Sequence, residues 1–304
     1  MKEEFGKSVT SLLGSKRHFF EQNEELREKL YEQNRLYASQ PERRECKNCN
    51  ETLTDDGTVD FLKGGVKYVI CSCCTHLNGA NEDTEEFCKK IYTDDDGEQY
   101  AKNYEVAADD QYKARVEAIY SPKVEFLQRS LENIGVEPRS VSCCDLGAGS
   151  GYFVSALRRK GFLTAFGYDV SKAQVRLGNN FIGSEVLYNV SISELYSVCD
   201  NLKVDLVSLI GVLEHLQEPR TLLEHIQSNS NIKYAFLSVP LFSFSVFLEA
   251  AFPAIMPRQL AGAHTHLYTK ESLEYLEKEY NLDPVAKWWF GTDMVDLYRN
   301  IEAR

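Results

Sequence analysis

The sequence predicts an α/β fold, in which a parallel sheet is covered by helices on both faces. Three observations favour this class. Apolar runs typical of buried strands alternate with amphipathic helical patterns from residue 139 onward. One such run, 141–144, leads directly into a glycine cluster that opens a helical pattern. Ahead of these lie two Cys-x-x-Cys pairs, which indicate a separate small unit. Because parallel strands need crossover connections, usually helices, the alternation indicates a parallel sheet.

The predicted elements follow from hydrophobic periodicity and from turn and capping residues. Strands are expected near residues 140–145, 163–169, 184–190, 203–210, 233–239 and 282–290, and helices near 151–160, 172–180, 219–229 and 269–280.

Composition places the chain among ordinary globular proteins. Of its 304 residues 43% are hydrophobic and 26% are charged. The net charge of -12 argues against nonspecific nucleic-acid binding, because phosphate contacts need surplus Lys and Arg. Residues 1–20 carry charges throughout and lack an apolar core, so they do not resemble a signal peptide. Nine cysteines without an export signal predict reduced thiols and a cytoplasmic protein without a membrane partner.

The N-terminal segment, 1–41, is expected to be helical. Residues 16–38 favour helix by propensity, and Pro41 ends the pattern. The apolar stripe is too broken for a coiled coil, so the helix packs either on its own chain or on a partner subunit. A homo-oligomer is therefore one of two open interpretations.

A zinc-binding ribbon is expected at 42–80. Cys46, Cys49, Cys71 and Cys74 form two pairs that bracket an apolar stretch, a spacing that places four thiolates around one ion. Structural zinc is the common occupant, with iron as an alternative, and Cys73 or His76 could replace Cys74. Four protein ligands leave no open position, so such an ion would stabilise the ribbon and would not be catalytic.

Residues 81–138 are expected to hold a linker followed by helices. The stretch 81–110 is acidic and loop-like, which is typical of a solvated linker. Tyr100 and Tyr104 stand four apart and could share a helix face. A helical pattern over 111–131 is interrupted near Pro122.

The stretch VSCCDLGAGSGYF, residues 141–153, predicts a strand, a glycine turn and a helix. Glycines accept positive φ and have no Cβ, so backbone N–H groups can approach a nucleotide-like ligand. The spacing differs from the Gly-x-Gly-x-x-Gly dinucleotide motif, and no Lys-Ser/Thr follows as in a P-loop.

Three motifs in order resemble those of class I S-adenosylmethionine-dependent methyltransferases. They are DLGAGSG, then Asp169 at the end of the next apolar run, then VDLVSLIGVLEHLQEP at 204–219. In enzymes that resemble this chain, the helices just before the first motif fold over the bound cofactor and acceptor, so residues 81–138 are expected to include lid helices. Tyr100 and Tyr104 are then candidate lid residues, and core packing is the alternative. The resemblance covers roughly residues 100–290. It implies a Rossmann-like sheet, with residues 139–304 as the S-adenosylmethionine-binding methyltransferase domain.

The same resemblance implies the residues of the cofactor site. Backbone of the glycine turn would contact the methionine part, Asp169 the ribose and Asp145 the amino group. Val170 would flank the adenine, with Ser191 and Ile192 at its edge, and the loop after the fourth strand would line the methyl-transfer site. The cofactor residues are thus Asp145, Gly147, Ala148, Gly149, Gly151, Asp169, Val170, Ser191, Ile192, Gly211, Val212 and Glu214.

Three histidines are candidates for catalysis. His215 follows the fourth strand, and by resemblance it would lie near the acceptor. GAHTHLYTKESL, residues 262–273, resembles a histidine-containing turn in a branch of the family whose members often carry an N-terminal Cys-x-x-Cys pair and act on sugars or other small metabolites. His264 and His266 stand two apart, so on an extended segment both would face the same side.

Two C-terminal features are expected. The apolar segment 242–257 is too short for a membrane span and suits a lid or a dimer interface. The resembling fold ends in an antiparallel strand, but DMVDLYRNIEAR, residues 293–304, looks helical. Either the chain lacks that strand or the edge is built otherwise.

The expected function is methyl transfer to a small polar acceptor, with a sugar or sugar nucleotide as the first choice. One alternative is an RNA or protein methyltransferase whose ribbon grips the macromolecule. Another is a nucleotide-binding scaffold protein without turnover.

Overall fold

A computed structural model describes residues 1–6, 23–53, 59–92, 109–252, 260, 264–290 and 293–300. The strands in this part of the chain are β1 Lys2–Phe5, β2 Phe61–Lys63, β3 Val66–Ile70, β4 Leu77–Gly79, β5 Cys143–Leu146, β6 Ala165–Asp169, β7 Leu187–Asn189, β8 Leu206–Ile210, β9 Tyr234–Pro240, β10 His266–Leu267, β11 Leu282–Phe290 and β12 Asp293–Asn300.

The helices pack against these strands. They are α1 Asn23–Ala38, α2 Glu85–Tyr92, α3 Asp109–Arg115, α4 Ser121–Asn133, α5 Tyr152–Arg159, α6 Lys172–Ile182, α7 Ile192–Asn201, α8 Pro219–Ser228, α9 Phe244–Ala251 and α10 Lys270–Glu279. A π-helical turn, Val116–Tyr120, joins α3 to α4 at the predicted interruption near Pro122.

The main sheet has eight strands in the order β7-β6-β5-β8-β9-β12-β11-β1. Strands β5 to β9 are parallel, and β12 runs antiparallel between β9 and β11. Two apolar clusters cover its faces: Cys143 and Phe236 point into one, while Cys144 and Leu237 point into the other. This arrangement confirms the predicted Rossmann-like α/β fold with helices on both faces.

The C-terminal strand corrects one expectation. Residues 293–300 are not helical, because they form β12 in the centre of the antiparallel part of the sheet. Met294, Val295 and Leu297 are fully buried, and Asp296 between them is buried as well. Both faces of this strand are covered, so apolar and polar residues do not alternate along it. Without that alternation, and with its charged residues, the segment was predicted to be a helix.

Three further elements were not expected. The acidic stretch 81–110, predicted to be loop-like, contains α2, whose Phe87 packs on Tyr37 with ring centroids 5.4 Å apart. Residues 2–5 form β1, which pairs with β11 at the sheet edge. Helix α7 begins directly after Ser191, which caps it in a capping box with Glu194. Tyr100, Tyr104 and residues 16–22 lie outside the described part of the chain.

A second sheet joins the cysteine-rich segment to the main domain. Its order is β10-β4-β3-β2, so three strands come from residues 61–79 and one comes from residues 266–267. His266 pairs with Asn78, and Leu267 pairs with Leu77. The ribbon therefore shares a strand with the segment that carries the predicted catalytic histidines.

Two remaining expectations concern membranes and the apolar segment. In the part of the chain that the structure describes, no helix is both long and apolar enough to cross a bilayer. Helix α9 exposes Phe244 and Phe247. The assignment of 242–257 to a lid or a dimer interface stays a prediction.

Candidate active site and cysteine cluster

A cavity of about 280 Å³ lies along the carboxyl edge of the parallel strands. Asp169 ends β6, the glycine turn follows β5, Gly211 follows β8 and Pro240 ends β9, and all of them line it. The chain order reverses between β5 and β8, and such a switch point opens a crevice where ligands of α/β proteins bind. One cavity therefore spans the predicted cofactor half and the predicted acceptor half.

The glycine turn forms the floor of the cofactor half. Gly147 and Gly149 have φ of +72° and +54°, a region in which side chains are strained. A Cβ on Gly147 would lie 2.6 Å from Val212 Cγ2, so only glycine lets the two loops meet. Helix α5 begins at Tyr152, so backbone N–H groups at its N-terminus are close to the turn.

Two buried carboxyl groups face the cofactor half. Asp169 accepts hydrogen bonds from Gly149 N at 2.7 Å and from Ser171 N at 2.8 Å. Burial raises the pKa of Asp169, and these N–H groups oppose the shift. Burial also raises the pKa of Asp145 to about 7, although Ser208, which donates to Oδ1 at 2.6 Å, lowers it. A cationic ligand in this cavity would favour ionisation of both groups.

The acceptor half is built by the loop after β8. Gly211 has φ of +68°, and a 3₁₀ turn, Leu213–His215, follows at once. Glu214 is only 3% exposed, and burial raises its pKa to about 8. Its Oε2 is buried and has no hydrogen-bond partner among the described residues.

Two of the three predicted catalytic histidines meet in this half. The rings of His215 and His264 lie 4.7 Å apart between centroids, and both line the cavity. The phenolic oxygen of Tyr92 lies 3.1 Å from His215 Nδ1. His264 comes from the segment just before β10, so two distant parts of the chain supply the pair.

His266 does not face this cavity with His264. It is fully buried in β10, and its Nδ1 lies 2.8 Å from His76 Nε2. The physical reason is that strand pairing with β4 begins at His266 and carries it into the ribbon sheet. Burial lowers the pKa of His266 well below its usual value and that of His76 to about 3, so both rings are neutral.

Several predicted cofactor residues do not line the cavity. Val212 packs beneath the glycine turn, and Ser191 is occupied as the cap of α7. Ile192 is 40% exposed. Of the twelve positions expected from the sequence, those that line the cavity are Asp145, Gly147, Ala148, Gly149, Asp169, Gly211 and Glu214.

The sequence interpretation missed cavity residues from other elements. Lys123 on α4 is buried, and its Nζ donates to Ser238 Oγ at 2.8 Å. Arg115 ends α3 with its guanidinium 4.9 Å from the Tyr152 ring centroid. Asp293 begins β12. For Arg115 and Lys123, the only signal in the sequence was the interruption near Pro122, which indicated a bend between α3 and α4. Nothing in the sequence indicated that β12 would bring Asp293 to the cavity.

The four predicted ligand cysteines come together. The sulfur atoms of Cys46, Cys49, Cys71 and Cys74 all lie within 4.8 Å of one another, with Cys46 to Cys74 at 3.7 Å and Cys49 to Cys71 at 3.6 Å. Zn–S bonds of about 2.3 Å in a tetrahedron put sulfurs about 3.8 Å apart. The hydrogen bond with Cys74 lowers the pKa of Cys46 to about 5. Cys73 is exposed and lies outside this cluster.

A buried ionic network ties the ribbon to the acceptor loop. Asp83 pairs with Arg43 at 2.8 Å and also with Lys47, and the Thr265 hydroxyl donates to it at 3.1 Å. The ammonium group of Lys47 also donates to the carbonyl oxygens of Leu216 and Gln217, at 2.7 and 2.9 Å. The loop that carries His215 is therefore held from the ribbon side.

Comparison with known proteins agrees with this architecture. A family described as a methyltransferase domain matches residues 112–287, more than half of the 304-residue chain. No curated protein matches the sequence. Magnesium protoporphyrin IX methyltransferase from Synechocystis PCC 6803, solved with bound SAH, superposes with a TM-score of 0.51 at 14% identity, over 71% of this chain and 99% of that chain.

Two other solved structures are similar over a shorter part. The methyltransferase domain of bacterial CtHen1 gives a TM-score of 0.44 at 14% identity, over 58% of this chain and 96% of that chain. A Pyrococcus horikoshii OT3 protein gives 0.42 at 16% identity, over 58% and 90%. The chain belongs to the methyltransferase domain family, and it is an S-adenosylmethionine-dependent methyltransferase with a class I fold.

Proposed function

We propose that this enzyme methylates a hydroxyl group of a small polar acceptor, with a sugar or a sugar nucleotide as the leading class. The observation that carries the proposal is the single cavity that joins the glycine turn and Asp169 to His215, His264 and Glu214. A hydroxylated acceptor needs hydrogen-bond acceptors and a base at the methyl-transfer end, and this wall supplies both.

The cofactor half suits S-adenosylmethionine in shape and charge. The backbone of Gly147, Ala148 and Gly149 lines the end of the cavity where the methionine part is proposed to lie. Asp169 keeps lone pairs for ribose hydroxyls beyond its two backbone hydrogen bonds. The buried Asp145 and Glu214 favour a ligand that carries ammonium and sulfonium charges.

The cofactor supplies an electrophilic methyl group on sulfur. The acceptor oxygen forms the new C–O bond as the C–S bond breaks, and that electron pair stays on sulfur. The oxygen loses its proton to a base of the protein, for which His215 and His264 are the nearest imidazoles on the wall. Positioning supplies most of the rate, because the acceptor must sit about 3 Å from the methyl carbon.

The cysteine cluster is proposed to hold one structural zinc ion. The sulfur separations suit a tetrahedral site with four thiolates and no open position. Such an ion would hold β3 and β4 for pairing with β10, and so would support the wall that carries His264.

Calorimetric titration with S-adenosylmethionine and S-adenosylhomocysteine tests the cofactor half. Asp169→Asn should weaken binding by about tenfold to a hundredfold, because a charged hydrogen-bond acceptor is lost. Asp200→Asn, at an exposed pair with His225, should leave the affinity at the wild-type value. Absence of binding to folded wild-type protein would remove the basis for the proposal.

A methylation screen tests the acceptor half. Sugars and sugar nucleotides should yield methyl ethers, which mass spectrometry detects as a gain of one methyl group. Turnover on RNA or peptides with none on any sugar would overturn the small-acceptor proposal.

A further inference from the structure

Glu214, His215 and His264 form the acceptor wall of the cavity, and their spacing has a second property besides the base that methyl transfer needs. Glu214, His215 and His264 each offer one ligand atom, and these atoms all lie within 4.8 Å of one another. His215 Nε2 is 4.0 Å from Glu214 Oε1. Two imidazoles and one carboxylate at this spacing form a donor set that binds divalent transition-metal ions.

The second observation is the state of the Glu214 carboxyl group. Its side chain is only 4% exposed, yet Oε2 has no hydrogen-bond partner in the described part of the chain. Buried polar atoms are nearly always satisfied, so the orphaned oxygen of a carboxyl group that belongs to a cavity-lining residue calls for a partner.

The ring nitrogen of His215 that faces away from Glu214 makes the kind of contact that metal-bound histidines show. Metal-ligating histidines donate their other ring N–H to an oxygen, which sets the tautomer. When Nδ1 of His215 donates to the Tyr92 oxygen at 3.1 Å, Nε2 keeps its lone pair, and Nε2 is the atom near Glu214. The buried network of Lys47 and Asp83 holds the next residues of the same loop.

We propose that Glu214, His215 and His264 bind a divalent transition-metal cation at the acceptor end of the cavity. Three protein ligands on one side leave positions that open toward the cavity. This cation is distinct from any ion in the cysteine cluster, whose four thiolates close the coordination sphere.

The acceptor chemistry of this site rests on the proposed function. Two adjacent open coordination positions on one cation match two neighbouring oxygen atoms of the acceptor. The acceptor class is therefore a vicinal diol or a related group that chelates through two oxygens. The cation lowers the pKa of a bound hydroxyl group. With both imidazoles on the cation, Asp293, which lines the same cavity, takes over the role of base from the histidines: the hydroxyl proton passes to its carboxylate, and the oxygen lone pair forms the C–O bond as the C–S bond of the cofactor breaks.

The test measures metal uptake without methyl transfer. Full-length protein is dialysed against Zn²⁺ and quantified, and a second sample is titrated with Mn²⁺ while electron paramagnetic resonance reports the free ion. In the first sample, wild type should hold one more Zn²⁺ per chain than either variant, Glu214→Gln or His264→Ala. Alternatively, in the second sample, wild type should bind Mn²⁺ at least tenfold more tightly than either variant. His225→Ala, on α8 beside Asp200, is the matched control and should behave as wild type.

The outcomes separate this inference from the proposed function. Calorimetry with S-adenosylhomocysteine on wild type and on His264→Ala, which lies outside the predicted cofactor positions, shows that the protein is folded and that the cofactor half is intact. If wild type takes up no more of either ion than both variants while cofactor binding is normal, the metal site is refuted and the methyltransferase proposal is untouched. If cofactor binding itself is missing in folded wild type, the proposed function fails.

Discussion

The side chain of Tyr92 meets His215 through a 3.1 Å contact between the phenolic oxygen and Nδ1. The rings meet edge to face, with centroids 5.8 Å apart. Tyr92 ends α2, which belongs to the segment ahead of the methyltransferase domain, whereas His215 follows β8. The N-terminal part of the chain therefore contributes directly to the orientation of an imidazole that lines the cavity.

Tyr92→Phe removes this contact and keeps the ring. Because outer contacts set the tautomer and orientation of a metal-binding histidine, Mn²⁺ affinity should fall tenfold to a hundredfold. S-adenosylhomocysteine affinity should stay at the wild-type value, since the cofactor half lies on β5 and β6. The control is Tyr188→Phe, at an exposed tyrosine that donates to the backbone carbonyl oxygen of Glu185. Unchanged Mn²⁺ affinity in Tyr92→Phe would mean that Tyr92 packs against His215 without orienting it for metal binding.

Gly147→Ala should disrupt the glycine turn. The new Cβ would meet Val212 Cγ2 at 2.6 Å, and φ of +72° adds backbone strain, so the expected loss of stability is about 2–4 kcal/mol. Cofactor affinity should fall with it, as measured by calorimetry.

Gly183→Ala is the matched control for this turn. Gly183 has a similar φ of +75°, but nothing lies within 4 Å of its added Cβ. It should lose only about 1–2 kcal/mol from strain and keep cofactor affinity. Equal losses in the two variants would mean that the approach of Val212 to the turn is unimportant.

Cys71→Ser should empty the cysteine cluster. Metal content should drop by about one zinc per chain, and the free energy of unfolding should fall by about 3 kcal/mol or more, because the ribbon has few apolar residues of its own. Cys73→Ser, two residues along in the same turn but exposed, should retain both metal and stability. Zinc quantification and chemical denaturation measure the two effects, and retained zinc in Cys71→Ser would contradict the ligand assignment.

Asp296 in β12 should make stability depend on pH. Burial raises its pKa to about 7, from about 4 in the unfolded chain. Because the folded pKa is the higher one, the protonated form favours folding, and stability present below about pH 4 is lost as pH rises to about 7. Asp296→Asn should therefore be more stable than wild type by about 2–4 kcal/mol at pH 8, with no such gain at pH 4.

The Asn variant at this position can still accept the hydrogen bond that Tyr298 donates to Asp296 at 2.8 Å. Asp283→Asn, at the exposed end of β11, serves as the control and should show little pH-dependent gain. Denaturant titrations at the two pH values measure the difference. A gain of the same size at pH 4 would show that packing at this site, and not its titration, determines stability.

The strands of the parallel sheet could be predicted because local signals and the fold agree. β6 and β8 are apolar runs that end at Asp169 and at Gly211, and each lies within the expected range. That Gly147, Asp169 and Gly211 line one cavity could also be predicted, since all three sit at strand ends. The four cysteines could be found from their spacing, because each Cys-x-x-Cys pair is a short local motif in the sequence.

The missed features depend on long-range pairing. β12 became a strand because β9 and β11 cover both sides of it, which no local pattern reports. His266 left the cavity because β4, far away in sequence, begins to pair there. Lys123 reaches the site only because α4 packs over the end of β9, where Ser238 receives its hydrogen bond.

The two-residue strand β10 links the ribbon sheet directly to the wall of the cavity. His264 lines the cavity, and two residues later the chain is already part of the ribbon sheet. If an ion in the cysteine cluster orders this segment, its binding would also favour acceptor binding, and by reciprocity the acceptor would tighten the ion by the same factor. On the proposed function, the ribbon would then be an allosteric partner of acceptor recognition.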